Sequence, residues 1–317
     1  MLNKPFPWQK ANNILVTTHA FVDPDALGSI LTMGGYLKSL GKQAALLARG
    51  GVPRNLRFLC EEEEVLSELP QPLHTFDLAV VLDCGAPELP NIPGLAGPNP
   101  KIEIVNIDHH FDNTGFGRHN WVAPDFSSVA EMLFELLENE GYRISALKAT
   151  ALLAGIMGDT GAFRHASTRP QTLITAAKLL QLAANLSGVV RHLFAGKTMG
   201  QLKAWSYILE KANLDENTGA LISALTAEDM AELDVDDNAY EGIVDIMNTF
   251  PGAKYAAFVR QRGGQVKFSL RSEEYKGMNV SELAQKFGGG GHKLAAGFTL
   301  PGRLRRQNGD IYIEPMP

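Results

Sequence analysis

Cysteine is scarce in this chain: Cys60 and Cys84 are the only two among 317 residues. They fall in separate segments, which excludes a disulfide framework and suits a reducing compartment. Long hydrophobic runs are also missing. No stretch approaches the roughly 18 apolar residues that a membrane span needs. The N-terminal MLNKPFPWQKANNILV has no basic region followed by an apolar stretch and a small-residue cleavage site, so a secretory signal is not expected. The expectation is a cytoplasmic protein with no membrane association. An excess of positive charge is absent too: 29 Lys and Arg stand against 35 Asp and Glu, for a net charge of -6. That excludes a non-specific duplex-binding protein, which needs a basic face. Polyanions remain acceptable ligands where cations are local or metal ions supply the charge. No internal repeat is visible, and the acidic run Glu61 to Glu64 reads as a solvated surface.

What is present is an ordinary globular composition, 45% hydrophobic and 20% charged, on a chain long enough for two domains. Short apolar, β-branched runs predict strands at Asn13 to Thr18, Gln43 to Ala48, Phe76 to Leu82 and Lys101 to Ile107. A helical pattern fills Asp25 to Leu40. Others follow from Ser128, placed with Glu131 as a capping box, and at Ser145 to Met157, Pro170 to Ala184 and Leu202 to Ala212. Strands separated by helices imply an α/β fold with a parallel sheet and helices on both faces. The pattern restarts near Thr218 in α+β style, with a hairpin turn at Arg262-Gly263-Gly264 and one strand, IYIE, in the tail. The expected division is 1–190 for a first domain, 191–216 for a helical linker and 217–317 for a smaller α+β domain across a cleft.

The chemistry lies where Asp and His follow hydrophobic elements. His19, Asp23 and Asp25 follow the first strand. Asp83 follows the run ending at Leu82. Asp108, His109 and His110 follow the run ending at Ile107, and Asp159 ends an apolar helix. Ligands in an open α/β sheet bind at the carboxyl ends of its strands. Taken singly, His19 reads as a loop histidine, Asp23 or Asp25 as a helix N-cap, Asp83 as a turn residue and Asp159 as a helix stop. Taken together they read as a metal site, because crowded carboxylates repel one another unless divalent cations join them. Imidazole with carboxylate suits Mn²⁺, Fe²⁺, Zn²⁺ or Co²⁺. Six donors suffice for two ions, the clamp used in phosphoryl displacement, if one carboxylate bridges.

The order HAFVDPDALGS, VVLDCG, NIDHH and GDTGAFR resembles the four motifs of the DHH phosphoesterase superfamily. SLRS and GGGGHKLAAGF resemble the DHH-associated domain of its RecJ-like branch. The resemblance implies two Mn²⁺ ions, with Mg²⁺ or Co²⁺ as substitutes. His19 and Asp23 would hold one ion, and Asp25, His109 and Asp159 the other, with Asp83 bridging. Asp108 would orient a motif histidine, and His110 would face the substrate. Arg271, Gly288, Gly289, Gly290, Gly291 and His292 would contact substrate phosphate, glycines permitting close backbone approach. Pro24 departs from the small residue usual between the first two aspartates, without changing ligand spacing. The compact two-domain layout matches the family type that degrades short oligoribonucleotides and removes the 3′-phosphate of adenosine 3′,5′-bisphosphate. Expected partners are short single-stranded RNA or DNA and small nucleotides, and a homodimer is common in such families. Alternatives are a phosphodiesterase for linear or cyclic dinucleotides, a single-strand exonuclease and an inactive binding module.

Overall fold

The computed structural model describes residues 6–97, 102–195, 197–235, 237–240, 242–307 and 310–315, with the side chains of 237, 238, 292 and 310 outside the description. Lys101 and the side chain of His292, both part of the sequence reading, therefore lie outside the described residues. The chain divides into two compact units, Met1–Gly196 and Lys197–Pro317.

The first unit holds β1 (Asn13–Thr17), α1 (Pro24–Ser39), β2 (Gln43–Leu47), β3 (Val65–Leu66), β4 (Leu78–Leu82), β5 (Glu103–Asp108), β6 (His119–Val122), α2 (Val129–Asn139), α3 (Ala146–Asp159), α4 (Pro170–Gln181) and α5 (Leu186–Leu193). The strands form one six-stranded sheet in the order β3-β2-β1-β4-β5-β6, parallel throughout. The chain moves outward from β1 through β2 to β3, then resumes at β4 on the other side of β1. That reversal makes the carboxyl ends of β1 and β4 the topological switch point, where ligands of such sheets bind.

The α-helices all pack on one face, while the short 3-10 helix Leu73–Thr75 contributes to the other. Ile14, Val16, Val80, Leu82, Val105 and Ile107 point into a core shared with α1, α2, α3, α4 and α5. The alternate residues Leu15, Leu47, Ala79, Val81 and Ile104 pack instead on Leu73, Phe76, Ile92 and Leu95. Right-handed crossovers explain this: once strand order reverses at β4, the β4-to-β5 connection must cross the opposite face. That connection contains Pro87, Pro90 and Pro93, which remove backbone donors and prevent a helix. The Pro/Gly-rich loop itself therefore seals that face.

Local capping follows the sequence closely, with one exception. The Ser128 side chain accepts from the Glu131 N–H at 3.1 Å. The Glu131 carboxylate does not complete the box at Ser128, but reaches the Ser127 N–H at 3.0 Å and the Thr172 hydroxyl at 3.1 Å. It thereby ties the start of α2 to α4.

The second unit holds α6 (Met199–Glu210), β7 (Asn213–Asp215), β8 (Ala220–Leu225), α7 (Ala227–Leu233), α8 (Ile243–Asn248), β9 (Tyr255–Arg262), β10 (Gln265–Arg271), α9 (Val280–Gln285), β11 (Gly290–His292), β12 (Ala295–Pro301), β13 (Arg303–Gln307) and β14 (Asp310–Glu314). Its six-stranded sheet runs β11-β12-β10-β9-β8-β7, with β13-β14 as a separate hairpin. Pairings are antiparallel except β8 with β9. Ala204 and Ile208 of α6 belong to this unit's core with α8, and α9 covers the opposite face. Among the described residues no single helix is long and apolar enough to cross a membrane; α4 with α5 passes that test only as a pair bent by 116°.

Candidate metal centre

The switch point gathers the acidic and imidazole residues. His19 leaves β1, and its Nε2 lies 3.3 Å from Asp83 Oδ2 and 3.7 Å from Asp23 Oδ2. Asp23 is the N-cap of α1, accepting from the Ala26 N–H at 2.9 Å, so the capping role and a place in the cluster coexist. Pro24 occupies the first helical position, where its missing N–H costs nothing. It packs on the end of α3, where a Cβ on Gly158 would stand 3.0 Å from its own Cβ.

Asp25 is fully buried. Its two oxygens accept from the Val129 and Ala130 N–H groups at 2.7 and 2.8 Å, amides that have no intrahelical partner at the start of α2. Gly155 lets α3 close on it, since a Cβ there would sit 2.7 Å from Asp25 Oδ1. This approach brings Asp159, the last residue of α3, toward the sheet edge. Its Oδ2 lies 3.2 Å from His109 Nε2.

Asp83, 2% exposed, lies at the centre. Its backbone is left-handed at φ 56°, a turn that an aspartate tolerates better than most residues. His109 Nε2 lies 3.7 Å and His110 Nδ1 3.5 Å from Asp83 Oδ1. The donors form three groups, each within 4.8 Å: His19, Asp23 and Asp83; Asp25, His109 and Asp159; and Asp83, His109 and His110.

The electrostatics are those of acids brought together with histidines but, among the described residues, without a paired Lys or Arg. Burial, with the Asp83 and Asp159 charges, pushes Asp23 up to about 7. Burial and the same two neighbours hold Asp25 well above the carboxylate range. Burial works against a charged His19, but its contact with Asp83 and the nearby carboxylates overcome that and raise it to about 9. Burial likewise opposes charge on His109, and Asp159 and Asp83 outweigh it, so its pKa is raised. Asp83 itself is held below the usual range: burial opposes its charge, and three surrounding histidines overcome it.

Two observations fit these residues to divalent cations. Asp83 Oδ1 is buried with no hydrogen-bond partner among the described residues, a costly state for a carboxylate oxygen unless something else binds it. His109 Nδ1 faces the Phe126 carbonyl at 3.3 Å. A proton held there leaves the Nε2 lone pair for a ligand, the usual arrangement of a metal-binding imidazole.

Some supporting residues carry no sequence signal of their own. The Nδ1–H of His110 donates to Asp108 Oδ1 at 2.8 Å. Asp108 is in turn reached by Asn113, whose side chain also meets Asn106 Oδ1 at 2.8 Å and the Cys84 carbonyl at 3.0 Å. An asparagine five residues beyond Asp108 reads as a turn residue; only the fold shows it gripping the aspartate. His165 Nδ1 lies 2.9 Å from the Asp159 carbonyl and steadies the end of α3.

The other residues marked in the sequence lie in the second unit. Arg271 donates from Nε to Asp245 at 2.8 Å and from Nη1 to the Leu270 carbonyl at 3.0 Å. Register places residues 271, 295 and 292 level across β10, β12 and β11. Gly288 takes a positive φ of 73°. Cβ atoms on Gly289 and Gly291 would strike the Gly297 and Ala295 carbonyls at 2.2 and 2.5 Å, whereas one on Gly290 would meet nothing within 4 Å. Packing therefore explains two of these glycines and leaves Gly290 unexplained.

Residues 13–156 match the DHH family N-terminal domain, and residues 217–309 match the DHHA1 domain. A bifunctional oligoribonuclease and PAP phosphatase NrnA of Thermus thermophilus is 35% identical over 295 residues, covering 91% of this chain and 84% of the relative. This chain belongs to the DHH family. It is accordingly a phosphoesterase of that metal-dependent family. The NrnA of Bacillus subtilis is 28% identical over 292 residues, spanning 91% of this chain and 90% of that protein. The crystal structure of an exopolyphosphatase-related protein from Bacteroides fragilis superposes with a TM-score of 0.84 at 25% identity, covering 92% of this chain and 88% of that one.

Proposed function

We propose that this DHH phosphoesterase depends on Mn²⁺, degrades short oligoribonucleotides and removes the 3′-phosphate of adenosine 3′,5′-bisphosphate. The observation that carries the reading is the convergence of His19, Asp23, Asp25, His109 and Asp159 around the unsatisfied oxygen of Asp83. The names and near-full-length matches of the NrnA relatives support the substrate class. In this reading His19 and Asp23 hold one ion, Asp25, His109 and Asp159 the other, and Asp83 both. A bound ion pair supplies an activated water and neutralises phosphoryl charge.

The chain's own residues do the rest. Asp108 fixes the His110 ring through Nδ1, so that Nε2 faces outward and delivers a proton to the leaving oxygen. Asn113 keeps Asp108 in place. Arg271, with Nε committed to Asp245 and Nη1 to the Leu270 carbonyl, offers its remaining guanidinium hydrogens to a substrate phosphate. Gly288 to Gly291 and His292 complete the substrate contacts. The expected linker at 191–216 does not stand apart: Leu186–Leu193 ends inside the first unit, and α6 and β7 are built into the second.

A homodimer belongs to the same proposal. Leu186, Val190 and Phe194 are all exposed and recur every four residues along α5 and its C-cap. They form an apolar stripe of the kind that interfaces cover. Light scattering on wild type and Val190→Glu tests it: a dimer that dissociates in the variant supports it, and a wild-type monomer contradicts it.

The substrate assignment is tested by incubating the protein and Mn²⁺ with RNAs of about 2 to 24 residues, adenosine 3′,5′-bisphosphate, the linear dinucleotide pApA and pyrophosphate. Fast turnover of the shortest RNAs and of the bisphosphate is expected. Turnover of pyrophosphate alone overturns the assignment.

A further inference from the structure

Two aromatic side chains of the first unit stand out into solvent next to metal-centre residues in the chain. Phe21 is 83% exposed and Phe111 59% exposed, the highest values among that unit's large hydrophobic residues. Phe21 stands midway between His19 and Asp23, and Phe111 directly follows His110. Each ring is therefore rooted within about 8 Å of chain from a donor in the cluster.

Neither exposure reflects a loose loop. Around Phe21, the Ala20 N–H donates to the Leu89 carbonyl at 2.9 Å. A Cβ on Gly50 would stand 1.8 Å from the Ala20 carbonyl oxygen, so the two backbones are in close contact. Val22 is in the core and Asp23 caps α1. Beyond Phe111, Asn113 is tied to Asp108 and Cys84, and the Thr114 N–H donates to the Gly85 carbonyl at 2.9 Å. Two anchored loops thus hold phenyl rings out into water, where they contribute nothing to the hydrophobic core.

We propose that Phe21 and Phe111 form a stacking platform at the rim of the metal centre for the nucleobase attached to the phosphate being cleaved. The inference rests on the nucleotide reading above and deepens it. A nucleotide bound by its phosphate at the donor cluster carries one flat, apolar-faced group, the base, about one sugar away. An aromatic face binds any base, because every base presents a π-surface. The platform therefore recognises that a base is present but not which base it is. This chemistry suits the degradation of fragments of mixed sequence.

The test uses the Mn²⁺-loaded protein and two substrates, adenosine 3′,5′-bisphosphate and ribose 3,5-bisphosphate, which share phosphates but differ by the base. Wild type is expected to favour the base-bearing compound in kcat/KM. In F21A/F111A the ratio of the two kcat/KM values falls roughly tenfold or more, mainly through KM, and F21W/F111W restores it. A ratio unchanged in F21A/F111A overturns the platform, even if both rates fall together. A second readout does not need turnover: the fluorescence of a 2-aminopurine riboside 3′,5′-bisphosphate is quenched on stacking. Quenching by wild type that F21A/F111A loses supports the platform, and absence of quenching by wild type contradicts it. Failure of wild type to hydrolyse either bisphosphate, with quenching intact, counts against the proposed activity and not against the platform.

Discussion

The chain solves the problem of a buried acid in two ways. In the second unit, Asp229 is almost fully buried and meets the Tyr207 hydroxyl, Lys211 at 3.2 Å and Arg306 at 3.0 Å. Burial alone would raise its pKa, but Tyr207, the Thr226 N–H and the two cations hold it below the usual range. Glu63 in the first unit is treated likewise, between Lys38 and Lys148. At the switch point the opposite holds. Among the described residues, no Lys or Arg pairs with Asp23, Asp25, Asp83 or Asp159. Only histidines stand near them. A chain that supplies basic partners to its structural acids and withholds them from four clustered aspartates has left room for cations that are not its own.

The sharpest way to break that comparison is Asp83→Asn, which keeps a residue suited to the left-handed backbone. It is expected to lower kcat/KM for phosphoester hydrolysis by more than about 100-fold while circular dichroism stays unchanged. A near-normal rate would contradict the central role of Asp83.

Glu63→Gln probes the other kind of site. It leaves Lys148 nearly buried without its partner, at a cost of about 3 kcal/mol in denaturant unfolding, with metal affinity unaffected. Burial opposes the Glu63 charge, but Lys38 and Lys148 overcome it and lower the pKa below that of the unfolded chain. Its contribution is therefore full above the unfolded pKa and drains away as pH falls through the folded value. The variant's stability should converge on wild type in acid.

Asn113→Ala loosens Asp108 and, through it, His110. A loss of about 10- to 100-fold in kcat is expected, with bound metal retained.

The smallest effects separate neighbouring glycines. Gly289→Ala forces a methyl against the Gly297 carbonyl and should destabilise the second unit by about 1–3 kcal/mol. Gly290→Ala meets open space and should leave melting unchanged, any effect appearing in KM for substrate.

Much of this was legible before folding. β1, β4 and β5 announce themselves as apolar runs, and the candidate ligands stand immediately after them, where a parallel sheet delivers side chains to one edge. Elements without such runs were not legible. β3 has two residues and β6 reads His-Asn-Trp-Val, so each is held by pairing with a neighbouring strand rather than by pattern. α5 is a short helix, and β13 reads Arg-Leu-Arg-Arg-Gln, a strand whose one deeply buried side chain, Leu304, gives no alternation to detect. Contacts made across long separations, such as Asp25 with the start of α2 and Asn113 with Asp108 and Cys84, have no one-dimensional signature. The one-sided arrangement of α-helices depended on where strand order reversed, which spacing alone does not show.

The metal-free protein also makes a prediction through its protons. Asp23 and His19, raised to about 7 and about 9, carry protons where cations would otherwise sit. Both values exceed those of the unfolded chain, so the stability these protons provide is lost as pH rises through that window. Cations must displace the same protons, and binding tightens as pH rises. The most direct measurement is therefore Mn²⁺ titration of the metal-stripped protein, following stoichiometry by calorimetry and melting temperature at about pH 7 and pH 8.5. The account predicts two ions per chain, proton release on binding, and a metal-induced rise in Tm that is larger at the higher pH, with saturation at about 100 times Kd contributing about 2.7 kcal/mol. A chain that binds no Mn²⁺, or melts at the same temperature with and without it at both pH values, contradicts the account.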